Sequence, residues 1–137
     1  MAERRIEVFF YGLFMDADLL RTKGIVAVNQ RPCRLEGFGL RLGKRATLVP
    51  ANDECSYGVV MALTPQDLKT LYSAPGLEEY VPEAVTCTTL SGETVCALCY
   101  NLTKPPAPDE ANSEYASELR NVLAKLGFPE EYIERVR

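Results

Sequence analysis

The chain has 137 residues, a length typical of one globular domain, so we expect a single domain over residues 1–137. Hydrophobic residues make up 47% of it and charged residues 25%, which excludes an intrinsically disordered chain. The formal net charge of −4 disfavours nucleic acid as a partner, because phosphate binding needs clustered Lys and Arg. The sequence contains no apolar run long enough to predict a membrane span.

Histidine is absent, which excludes Ser-His-Asp and Cys-His catalysis and metal sites that use His. The five cysteines lack the spacing of a disulfide framework, and no signal peptide is recognisable. We therefore expect a cytoplasmic protein with reduced thiols. Cys96 and Cys99 have CxxC spacing, but on a strand they would point to opposite faces, which favours a structural interpretation. No metal or organic cofactor is predicted.

Residues 5–11, "RIEVFFY", are mostly β-branched or aromatic and predict a central strand buried on both faces. Tyr11-Gly12 ends the strand, and Asp16 or Asp18 can cap a short helix after it. Such a turn allows a ligand to approach backbone N–H groups at a helix start. The structural alternative is a change of chain direction, and the Tyr-Gly pair alone does not distinguish the two.

The middle of the chain is rich in strand patterns. Residues 25–42 predict strand segments bent at Pro32 and at two glycines, which is typical of a curved sheet. Residues 46–63 predict two further strands joined by a turn, "ANDE", at 51–54. Together with the first strand they predict a mixed, barrel-like sheet.

The second half adds helices and a hairpin. Thr64 followed by Pro65 is typical of a helix start. Residues 78–102 predict a β-hairpin with a Ser-Gly turn, and the apolar spacing after residue 113 predicts a C-terminal helix. The fold class is therefore α+β, with helices at the periphery of a small sheet.

A second candidate site is acidic. Glu78, Glu79 and Glu83 lie around Tyr80, just after a Pro-Gly turn. Neighbouring carboxylates repel, so burial of one of them would raise its pKa toward a value useful for proton transfer. The alternative is an ordinary solvated acidic surface.

The order of these features resembles the γ-glutamylcyclotransferase-like family, including its plant AIG2-like and bacterial members. The matching stretches are "VFFYGLFM", "SYGVVMAL", "DLKTLYSAPG", "EYVPEAVTC", "CALCYN" and the C-terminal "EEYIERV". The resemblance covers nearly the whole chain. It implies a small mixed β-barrel with peripheral helices and a C-terminal helix, and a cavity at the end of the first strand.

The resemblance also implies a chemistry. In that family the α-amino group of a γ-glutamyl compound attacks its own γ-carbonyl, which closes 5-oxoproline and releases an amine. Loop N–H groups would bind the oxyanion and a buried Glu would act as the base. The implied partner is a small γ-glutamyl compound or related carboxylate, and no oligomeric state is implied. The implied substrate-binding residues are Tyr11, Gly12, Leu13, Phe14, Met15 and Tyr80.

Two positions depart from the family pattern. Leu13 stands where Ser usually follows Tyr-Gly, and Pro75 stands where the catalytic Glu is usual. Proline can neither accept a proton nor donate a backbone N–H. Glu79, Glu78 and Glu83 are then the candidates for a displaced base.

Three hypotheses follow from these departures. The first is a ligand-binding member that lacks the usual catalytic Glu, a pseudoenzyme. The alternative is an active cyclotransferase, or a related amide-cleaving enzyme, that uses a displaced Glu. The second alternative is a non-catalytic interaction scaffold.

Overall fold

The computed structural model describes residues 4–137. Residues 1–3, on which the prediction about a signal peptide partly rests, lie outside the described residues. Five strands close into a barrel, and helices pack outside it, which confirms the expected α+β barrel. The strands are β1 Ile6–Phe10, β2 Val28–Leu42, β3 Ala46–Leu63, β4 Tyr80–Thr89 and β5 Thr94–Leu102. The helices are a 3-10 turn Leu13–Met15, α1 Ala17–Thr22, α2 Pro65–Tyr72, α3 Ser113–Lys125 and α4 Glu130–Arg135.

The barrel is mixed because of one pairing. Its strand order is β1-β3-β2-β4-β5, and all neighbours are antiparallel except β1 and β5, which pair in parallel with Val8 opposite Leu98. The interior contains Phe9, whereas Val8 and Phe10 belong to the core between the barrel and the helices. The prediction that β1 is a central strand buried on both faces is therefore confirmed.

The predicted turn at residues 51–54 was wrong. These residues belong to the continuous strand β3, where they bulge opposite Gly37 of β2. Gly37 has a φ of +84°, a left-handed conformation that glycine adopts without steric cost. A bulge retains the pairing on either side of the extra residues and adds curvature, which a small barrel needs.

The predicted helix starts are confirmed. Asp16 Oδ1 accepts the Asp18 N–H at 3.0 Å at the start of α1, and Thr64 Oγ1 accepts the Asp67 N–H at 3.2 Å at the start of α2. The apolar face of α3 packs in the outer core, which places this helix against the 3-10 turn that follows β1. None of the helices within residues 4–137 is long and apolar enough to cross a bilayer.

Candidate functional site

A cavity of about 270 Å³ opens at the end of β1, where the chain leaves the barrel and enters the 3-10 turn. Eight of its sixteen lining residues are Phe or Tyr, three are Lys or Arg, and none is Asp or Glu. The cavity is therefore aromatic and carries positive charge. Its lining consists of Phe9, Phe10, Tyr11, Gly12, Leu13, Phe14, Leu19, Lys23, Lys44, Arg45, Ala46, Tyr72, Leu77, Tyr80, Tyr100 and Tyr115.

Most of the binding residues implied by the resemblance meet at this cavity. Five of the six line it: Tyr11, Gly12, Leu13, Phe14 and Tyr80. Met15 does not line it, since its side chain is only 1% exposed and packs in the core between the barrel and the helices. Successive side chains in a 3-10 turn point about 120° apart, so the third residue of the turn faces away from the first two.

The Tyr-Gly turn is covered by a residue that the sequence analysis did not assign to the site. The hydroxyl of Tyr115, on α3, accepts the Leu13 N–H at 3.4 Å. A Cβ added at Gly12 would lie 2.6 Å from this hydroxyl oxygen. Because the φ of Gly12 is an ordinary −108°, glycine is needed here for space and not for backbone conformation.

Other tyrosines build the cavity wall. Tyr11 Oη donates to the Tyr100 carbonyl oxygen at 2.7 Å, and Tyr80 Oη donates to the Ala46 carbonyl oxygen. The rings of Tyr72 and Tyr100 stack in parallel, with centroids 3.9 Å apart and planes 9° apart. Sequence reasoning missed Tyr72 and Tyr100, because α2 and β5 come near the Tyr-Gly turn only when the barrel closes.

The phenols of the wall are poor bases. Burial raises the pKa of Tyr11 and of Tyr72 well above the ordinary 10.0, and the nearby Cys99 thiol adds to both shifts. Burial also raises the pKa of Tyr80, an effect that Tyr115 reinforces and that the charge of Arg45 opposes. At neutral pH these groups hold their protons, so they can donate hydrogen bonds but cannot accept a proton from a substrate ammonium.

Of the three candidate bases, Glu79 is the one whose carboxylate pairs with a residue of the cavity lining. Its carboxylate pairs with the guanidinium of Arg45, which is itself a lining residue. The Glu79 side chain is 73% exposed, whereas that of Arg45 is 28% exposed. Glu79 therefore approaches the cavity from the solvent side, through its ion pair.

The other two glutamates have different partners. The Glu78 carboxylate accepts the Gly76 N–H at 2.9 Å, within the turn between α2 and β4. The Glu83 carboxylate accepts Nδ2 of the buried Asn101 at 2.5 Å. Neither glutamate lines the cavity, and Pro75 is exposed in the turn and does not line it either.

None of the five cysteines lines the cavity, although the Cys99 thiol lies near Tyr11 and Tyr72. Cys99 is buried and Cys96 is exposed, as expected for strand residues three apart. Burial raises the pKa of Cys99 and of Cys87 to about 12, so both are protonated thiols at neutral pH. Among residues 4–137, no group of three or more Cys, Asp or Glu side chains is arranged to hold a metal ion.

Several solved structures share this fold. A gamma-glutamyl cyclotransferase has a TM-score of 0.77 and 21% identity, over 97% of this chain and 86% of its own. An uncharacterized human protein has a TM-score of 0.77 and 23% identity, over 98% of this chain and 87% of its own. A yeast gamma-glutamyl cyclotransferase specific to glutathione has a TM-score of 0.64 and 14% identity, over 96% of this chain and 95% of its own. At such identities the likeness establishes the fold alone.

The sequence itself matches a protein family. The family model described as gamma-glutamyl cyclotransferase, AIG2-like, matches residues 8–119, which run from β1 into α3. No curated protein matches the chain at a significant level. The match extends over well more than half of the residues and includes all sixteen residues of the cavity lining. The chain therefore belongs to the gamma-glutamyl cyclotransferase, AIG2-like family.

Proposed function

We propose that this protein binds a small carboxylate-bearing amino-acid derivative, of the γ-glutamyl type, in the cavity at the end of β1, without turning it over. The observation that carries the proposal is the charge of the lining, which has Lys23, Lys44 and Arg45 but neither Asp nor Glu. Cationic side chains beside a largely apolar cavity suit a ligand carboxylate.

The same lining argues against efficient cyclotransfer. Before an α-ammonium can attack the γ-carbonyl, it must lose a proton to a base within hydrogen-bond reach. On the family register the usual Glu is replaced by Pro75, which cannot accept that proton. The tyrosine phenols of the wall keep their own protons at neutral pH, because burial raises the pKa of each of them.

One observation favours the enzymatic alternative, namely the pairing of Glu79 with Arg45. A ligand carboxylate that pairs with Arg45 in place of Glu79 would release Glu79 at the edge of the cavity. Glu79 would then accept a proton from the ammonium, and the free amine would attack the γ-carbonyl. Loop N–H groups would bind the oxyanion. Its collapse would break the bond to the leaving nitrogen and release 5-oxoproline; the leaving amine would take up the proton held by Glu79 and the second proton lost by the ring nitrogen.

A binding and turnover experiment tests both functions. Calorimetry with γ-glutamyl methylamide measures affinity, and chromatography of the same mixture measures 5-oxoproline. Arg45→Ala should weaken binding at least tenfold, since a charged hydrogen bond contributes roughly 1.5–3 kcal/mol. The matched control is Arg34→Ala, because Arg34 pairs with Glu36 on β2 and does not line the cavity.

The outcomes separate the hypotheses. Binding without 5-oxoproline, lost in Arg45→Ala and retained in Arg34→Ala, supports the proposal. Sustained formation of 5-oxoproline that disappears in Glu79→Gln would replace it with the enzymatic alternative. If the protein is folded but binds no carboxylate, the remaining hypothesis is the interaction scaffold.

A further inference from the structure

We infer that the ligand carries a flat, uncharged aromatic group next to its carboxylate-bearing head, and that cationic amine tails are excluded. This inference rests on the proposed function and names the class of ligand that the cavity selects. Four features of the lining carry it: a continuous aromatic wall, an apolar loop, an excess of positive charge and two hydroxyls without a protein partner.

The aromatic wall is built from side chains of four separate segments. Phe14 meets Tyr72 edge to face, with centroids 6.4 Å apart and planes 86° apart. Tyr72 stacks on Tyr100 and tilts against Tyr80 at a centroid distance of 6.1 Å. Rings in contact with one another present both faces and edges, against which a further ring can pack.

The loop after β1 adds apolar surface. Leu13 is half-buried, lines the cavity and occupies the position after Tyr-Gly. Leu19 and Leu77 also belong to the lining. A polar tail placed against these side chains would lose hydrogen bonds to water and gain none in return, whereas an apolar ring would gain from leaving water.

Charge excludes a cationic tail. An ammonium in the cavity would meet three positive side chains and no carboxylate among the lining residues. Aromatic faces do attract cations, but the Tyr72 and Tyr100 faces that stack on each other are not available for this. Repulsion from Lys23 and Lys44, and from Arg45 where it is not paired with Glu79, therefore opposes any amine tail.

Two lining hydroxyls have no protein partner. Tyr72 Oη and Tyr100 Oη make no hydrogen bond to any group within residues 4–137, although both rings line the cavity. A ligand amide could use either donor. The volume of about 270 Å³ lies just below the range of roughly 300–1,000 Å³ that is usual for small-molecule sites, which suits an amino-acid head with one ring.

The test compares three ligands that share a γ-glutamyl head: the methylamide, the anilide and the amide of 1,4-diaminobutane. Calorimetry should show the anilide binding at least tenfold more tightly than the methylamide, the effect expected for burying one ring. The diaminobutane amide should bind more weakly than the methylamide. Equal binding of anilide and methylamide, or tightest binding of the cationic amide, would overturn this inference and leave the proposed function intact. If none of the three binds, both fail.

Variants of the lining test where the aromatic ring of the ligand binds. Leu13→Ser should reduce the preference for anilide over methylamide severalfold. The matched control is Leu90→Ser, in the exposed β4-β5 turn, which should leave the preference as it is. A preference that survives unchanged in both Leu13→Ser and Phe14→Leu would mean that the ring does not lie on this surface, and the inference would be wrong.

Discussion

Glu79 pairs with Arg45 at the edge of the tyrosine-lined cavity, and this ion pair joins a candidate base to a candidate anion-binding group. The pairing gives Glu79 a second interpretation besides that of a displaced base. As long as it neutralises Arg45, Glu79 would compete with the proposed ligand carboxylate for the same guanidinium.

Glu79→Gln should therefore tighten carboxylate binding. We expect the Kd for γ-glutamyl methylamide to fall by about 1.4- to fivefold, which corresponds to the roughly 0.2–1 kcal/mol typical of exposed ion pairs. The gain should shrink in high salt, because salt screens exposed charges. Calorimetry at two salt concentrations measures both effects. Glu78→Gln is the control and should change neither the Kd nor its salt dependence, since Glu78 bonds to the Gly76 N–H. A higher Kd in Glu79→Gln would contradict the competition.

Gly12→Ala should destabilise the protein because of Tyr115. The added Cβ would lie 2.6 Å from the Tyr115 hydroxyl oxygen, and the hydrogen bond from the Leu13 N–H would be lost as the ring moves. We expect a loss of about 1–2 kcal/mol in the free energy of unfolding, measured by urea denaturation. In a Tyr115→Phe background the same change should cost less than about 0.5 kcal/mol, because the obstructing oxygen is gone. Equal costs in the two backgrounds would rule out this contact as the cause.

Stability should fall in alkaline solution. The ordinary pKa of a thiol is 9.0, and burial raises that of Cys87 and of Cys99 to about 12. Burial likewise raises the pKa of Tyr132 from 10.0 to about 12. Between these values the unfolded chain releases protons that the folded chain keeps, so stability is fully present below about pH 9 and is lost as the pH rises toward 12. Urea denaturation at pH 8, 9, 10 and 11 measures this, and a free energy of unfolding that stays level across the series would contradict it.

Thiol labelling should distinguish the cysteines by burial. Cys96 is exposed and Cys55 is half-buried, whereas Cys33, Cys87 and Cys99 are buried. A thiol reagent at neutral pH should modify Cys96 first and Cys55 more slowly, and the buried three only after unfolding. Mass spectrometry of the labelled native protein gives the order, with the unfolded protein as the reference for full labelling. Rapid native labelling of Cys99 would show that the barrel interior opens.

Local sequence patterns predicted the elements whose causes are local. The apolar run in β1 predicts a central strand because both of its faces are buried, and Asp16 and Thr64 predict helix starts because their side chains accept N–H groups two or three residues later. The Tyr-Gly turn was identified as a candidate site on its own residues and on the resemblance. The bulge at residues 51–54 was missed, because its sequence is also typical of a turn and only pairing with β2 keeps it in the strand.

The cavity wall depends on contacts between residues that are far apart in the chain. Tyr11 bonds to the Tyr100 carbonyl across 89 positions, and the Leu13 N–H reaches Tyr115 across 102. Such contacts form because β1 closes the barrel against β5 in parallel while α3 packs over the end of β1, and neither event has a signature in the local sequence. The sequence by itself therefore determined the family, the strand and the turn; the barrel closure decided which tyrosines surround that turn and which charge faces the cavity.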